Sequence, residues 1–134
     1  MAEARTPVQR PLSPHLQVYR LSLSMFMSGL HRITGVALCA GMIMLTWWLL
    51  AAAAGQNAYG TFEAFATHWF GRLVLFGFSW SLLHHLIGGL RYLIWDLGYG
   101  LGNEEREWLV RANIVGSIGF TVLFWVVLVM SGLR

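Results

Sequence analysis

Three runs in this 134-residue chain contain no Asp, Glu, Lys or Arg, and they limit what it can fold into. Ile33 to Ala54 is 22 residues, the stretch between Arg72 and Arg91 is 18, and the stretch between Arg111 and Arg134 is 22. A helix needs about 20 apolar residues to cross a ~30 Å hydrocarbon core. The first and third runs meet this outright. The second meets it with its arginine ends reaching toward the interfaces. The runs are continuous rather than alternating, so they predict helices and not barrel strands. The expected fold is an all-α integral membrane protein with three transmembrane helices, near 29–54, 69–95 and 110–133, in a single domain over residues 1–134. Residues 1–20 carry Pro7, Pro11 and Pro14 and read as a polar, extended arm. The connections 55–68 and 98–107 read as loops, and 21–32, with Ser22, Ser24 and Ser28, as the lead into the first span.

Composition supports the membrane reading. Charged residues make up only 11% of the chain, against ~25% in an average soluble domain, too few to coat a water-facing surface. Apolar residues at 57% exclude disorder. The single Cys39 excludes a disulfide scaffold and covalent c-type haem attachment, which needs two cysteines. Nine arginines and no lysine leave a net charge of +3, but the arginines form no run, which argues against nucleic acid as a partner. They do set an orientation. Arg5, Arg10, Arg20, Arg32, Arg91, Arg106 and Arg111 fall on one side of the spans, Arg72 and Arg134 on the other. Seven against two predicts an amino terminus and second loop on the cytoplasmic side of a bacterial inner membrane, or on the matrix side in a mitochondrion. Trp47, Trp48 and Trp69 would then mark the outer interface, and Tyr92, Trp95 and Trp108 the inner one.

Ionisable groups within spans are costly and face protein, cofactor or water. Two clusters stand out. Ser28, His31, Arg32 and Thr34 lie together, with Ser28 and Arg32 neighbours at i,i+4. Ser24, Ser28, Gly35 and Cys39 extend a face of small residues that lets a helix or a flat ligand approach. A basic anchor with a packing stripe explains the same residues. The second cluster is His84-His85, followed by Gly88-Gly89, Arg91 and Asp96. Neutral imidazole ligates haem iron, relays protons, or simply bonds across helices. Successive helical residues point about 100° apart, so the two rings cannot serve one iron. Ser81 and Gly89, each a turn from His85, leave room for a porphyrin there and tilt the choice toward His85.

The motifs resemble the larger cytochrome b membrane-anchor subunit of succinate dehydrogenase, respiratory complex II. Its first signature reads Arg10-Pro11-Leu12, Leu16, Leu23, then Ser28-x-x-His31-Arg32-x-Thr34. The wording RPLSPHLQVY resembles the alphaproteobacterial and mitochondrial branch. The second reads His85-x-x-x-Gly89-Leu90-Arg91-Tyr92-Leu93-x-Trp95-Asp96-x-Gly98, departing at Tyr92, where the family has His or Phe. The resemblance implies that His85 is an axial ligand of haem b iron. It places His31 and Arg32 near the haem propionates, and Ser28 and Arg32 near ubiquinone. It further implies a smaller anchor subunit that completes the bundle and supplies the second haem histidine. An iron–sulfur subunit and a flavoprotein subunit would be tethered to the bilayer by both anchors. On this reading the chain is not catalytic alone, having no flavin motif and no cysteine cluster, and serves electron transfer from succinate to ubiquinone. A fumarate reductase anchor, and a small proton-coupled transporter, are the alternatives.

Overall fold

The computed structural model describes residues 20–132. Four helices follow in order: α1, Leu23–Ala54; α2, Gln56–Thr67; α3, Trp69–Asp96; and α4, Asn103–Met130. α1, α3 and α4 are the three long enough and apolar enough to cross a membrane. At 1.5 Å per residue the 32 residues of α1 span about 48 Å, and the 28 of α3 and of α4 about 42 Å. Each exceeds the hydrocarbon core and carries its ends into the interfaces or tilts.

The ends have local causes. The Ser22 hydroxyl accepts a bond from the Met25 N–H (3.4 Å) and caps α1. Gly55, at φ 105°, ends α1 in a conformation that suits glycine and starts α2 at once. His68 caps α3, its Nδ1 accepting from the Phe70 N–H (3.3 Å). Glu104 and Glu105 occupy the first turn of α4, where negative charge suits the positive end of the helix dipole.

α3 is central. It packs most extensively on α4, and also on α1 and α2. α2 lies across one end of the bundle, where Phe62 and Phe65 meet Trp47 of α1 at ring separations of 5.0 and 5.3 Å. Gly71 of α3 comes so close to the Phe65 carbonyl that no Cβ fits between them.

Three sequence expectations need correction. Residues 56–67 are a helix and not a loop. Half of the loop expected at 98–107 belongs to α4, which starts at Asn103. The first span, expected from about residue 29, starts at Leu23, so most of the lead at 21–32 belongs to α1. The proline-rich arm, the Arg10-Pro11-Leu12 and Leu16 part of the first motif, and Arg134 lie outside the described residues.

The interior is polar and the exterior apolar. Among the described residues, the buried apolar side chains are Met27, Ala51, Phe62 and Val110. Buried polar ones outnumber them: Thr34, Ser81, His84, Arg91, Asn113, Ser117 and Thr121. Most large apolar side chains point outward, as bilayer contact requires, while small and polar residues line the helix contacts.

Candidate functional site

The two adjacent histidines of α3 face different helices. His84 is buried and turns toward α4, its Nδ1 3.2 Å from the Ser117 hydroxyl. Its Nε2 is sealed inside the protein with no partner among the described residues. His85 turns toward α1. Its Nδ1 lies 3.1 Å from the backbone carbonyl of His31 and 3.4 Å from the Thr34 hydroxyl. A carbonyl only accepts, so that contact requires Nδ1 to carry the proton, and the lone pair then sits on Nε2. The His31 ring stacks on the His85 ring, 3.8 Å between centroids and 6° between planes.

α1 supports this geometry with one turn of residues. Thr34, buried, donates its hydroxyl to the His31 carbonyl at 2.9 Å. Gly35 leaves space for the imidazole; a Cβ there would stand 3.2 Å from His85 Cε1. Across the seam, Gly88 holds α3 against both neighbours, since its Cβ would fall 2.6 Å from His31 Nδ1 and 3.2 Å from Asn113 Nδ2. A groove of about 420 Å³ runs between α1 and α3, lined by Ala37, Ala40, Gly41, Gly77 and Ser81 among others. Ser81 is one turn from His85.

Ser28 is half-buried and Arg32 exposed on α1, on either side of the turn that carries His31. Arg91 is 3% exposed, its guanidinium 5.3 Å from the Tyr92 ring centre and 4.9 Å from that of Trp95. Tyr92 also approaches His31, at 5.3 Å between rings. Tyr92 thus places an aromatic face beside both groups.

The structure brings His31, Thr34, Gly35 and His85 together, and leaves His84 on the far side of α3. It adds residues that the motifs do not contain. Asn113, Ser117 and Thr121 form a buried polar stripe at i, i+4 and i+8 of α4. That spacing was a readable signal in an otherwise apolar run. Trp125 likewise donates its indole N–H to the Ser79 hydroxyl at 2.9 Å, tying α4 to α3.

A three-span helical bundle whose central helix carries two histidines facing different neighbours defines a membrane-anchor class of protein. Residues 6–132 match the model for the succinate dehydrogenase/fumarate reductase transmembrane subunit. The chain belongs to that family. It is 46% identical over 118 residues to the succinate dehydrogenase cytochrome b556 subunit of Paracoccus denitrificans, covering 88% of this chain and 91% of the relative. The cytochrome b556 subunit of Rickettsia felis is 37% identical, covering 88% of this chain and 92% of its own. The mitochondrial cytochrome b560 subunit of Sus scrofa is 42% identical over 122 residues, 85% of this chain and 71% of the relative.

Proposed function

We propose that this chain is the haem b-binding anchor of a succinate:ubiquinone oxidoreductase, with His85 as one axial ligand. The observation that carries the assignment is the His85 Nδ1–H bond to the His31 carbonyl. Ligating histidines commonly bond their other ring nitrogen in this way, which fixes the tautomer and aims the remaining lone pair. A groove between α1 and α3, lined by Ala37, Ala40, Gly41 and Ser81 together with Met44, Phe78 and Trp80, opens one turn from His85. His84 lacks the carbonyl bond: its Nδ1 faces the Ser117 hydroxyl and its Nε2 is sealed inside the bundle. A smaller anchor subunit would supply the second histidine that holds the haem, and haem would supply one-electron transfer within the membrane.

The chain's own residues do the rest. His31 and Arg32 would favour the negative propionates of the bound haem. Ser28 and Arg32 shape the ubiquinone pocket, at the inner interface where the iron–sulfur subunit docks with its flavoprotein. As negative charge grows on a quinone oxygen, the Ser28 hydroxyl donates a hydrogen bond and the Arg32 guanidinium stabilises the charge without giving up a proton. The family also contains fumarate reductase anchors. The relatives named above are succinate dehydrogenase subunits, which favours the succinate-oxidising direction.

The test is an absorption spectrum of the assembled complex, with variants. A b-type band is expected in the parent and its weakening or loss in His85→Leu. A parent complex without that band overturns the proposal. For the quinone pocket, Ser28→Ala and Arg32→Leu should depress succinate–quinone turnover by ~10²–10³, by analogy with lost oxyanion donors. Succinate oxidation by a soluble artificial acceptor should be spared. Unchanged quinone turnover in both variants, with normal assembly, rules out the pocket assignment.

A further inference from the structure

The contacts around the His31 carbonyl carry an inference that rests on His85 as the haem ligand and goes beyond it. That oxygen receives the Thr34 hydroxyl at 2.9 Å and the His85 Nδ1–H at 3.1 Å, while Thr34 Oγ1 is itself 3.4 Å from His85 Nδ1. We propose that Thr34 is a positioning residue whose hydroxyl moderates the bond between His85 and the His31 carbonyl and so sets the reduction potential of the haem.

Two donors on one carbonyl weaken each other, because each draws on the same electron density. The Thr34 proton therefore lowers the pull of the carbonyl on the His85 proton. The Thr34 oxygen, as an acceptor from Nδ1–H, would act in the opposite sense, but at 3.4 Å it is the weaker contact. The net effect leaves His85 a weaker base at Nε2 than the carbonyl alone would make it. Second-shell bonds of this kind tune ligand basicity, and a more basic axial ligand favours the oxidised iron. Removing the hydroxyl should strengthen the His85 bond to the carbonyl and lower the potential. Thr34 is 1% exposed, so no bulk water replaces its hydroxyl.

The experiment is a redox titration of haem in the intact complex carrying Thr34→Val, Thr34→Ala or Thr34→Ser. The valine and alanine chains should shift the reduction equilibrium at least threefold toward oxidised haem, about 30 mV at 59 mV per tenfold for one electron. Serine keeps the hydroxyl and should restore the parent potential. Loss of haem from both apolar variants with its retention in the serine variant overturns the inference, because the hydroxyl would then hold His85 in place and not moderate its bond. An unchanged or raised potential in the apolar variants overturns the inference, as does a serine variant that behaves like alanine. His85→Leu separates this from the ligand assignment. Retention of an unaltered haem spectrum there overturns the assignment, whatever the Thr34 variants do. A haem that depends on His85 yet ignores Thr34 overturns the inference alone.

Discussion

Replacing His84 by alanine removes its bond to Ser117 and opens a hole between α3 and α4. Interhelical bonds in membranes are worth ~0.6 kcal/mol on average, and a buried cavity adds its own cost. A loss of about 1–3 kcal/mol is expected, read as a lower midpoint for thermal unfolding in detergent, with the b-type band intact. If the band disappears in this variant and persists in His85→Leu, the two histidines exchange roles. Gly88 makes the complementary test. A methyl group there meets His31, whose ring is held by its stack on His85, and Asn113. Overpacking of this kind costs about 1–3 kcal/mol. Gly88→Ala is expected to lower thermal stability by that amount, whereas Gly89→Ala, with nothing within 4 Å of its Cβ, should not.

At the scale of elements, α2 closes one end of the bundle by inserting Phe62 and Phe65 beside Trp47, and Gly71 admits the α2 backbone. Gly71→Val places atoms against a carbonyl that cannot swing aside. The expected outcome is an α2 released from α3, detected as faster proteolysis between residues 55 and 68 with the three long helices still protected. Equal protection of that segment in the parent and the variant would show that this contact does not hold α2. Sequence reading treated this segment as a loop because its 12 residues are too short to cross a bilayer and include Gly60 and Asn57. Tyr59, Phe62, Phe65 and Ala66 recur at helical spacing within it, a readable amphipathic signal; the packing of that face on Trp47 is what the local pattern does not display. The long helices were legible because a bilayer imposes length and apolarity on every turn. The separate directions of His84 and His85 followed from helical geometry, but the neighbour each would meet did not. Which face of α3 looks at α1 and which at α4 is decided by interhelical packing, by Gly88 and Gly35 admitting close approach on opposite helices. Thr34 stood in the motif, but its link to His85 exists only across 51 positions of sequence.

For the whole molecule, the arginine distribution makes a further prediction about orientation. With seven arginines against two, fusions of a periplasm-active reporter should be silent near Asn103 and active near Gln56. Activity at Asn103 would reverse the chain in the membrane, and with it the side on which Ser28 and Arg32 meet their partners.

The polar seam between α3 and α4 also bears on how the chain is made. α3 leaves the ribosome before α4 exists, and its Ser79 and His84 then have no Trp125 or Ser117 to bond. Polar groups within a span are costly to insert, though less so than charged ones, so α3 alone is a reluctant passenger into lipid. The translocation machinery therefore has reason to retain α3 until the next 34 residues, through Met130, have been synthesised, and to release the two helices as a hairpin. The two side-chain bonds that tie α3 to α4 in the mature interior thus also favour their joint entry into the bilayer.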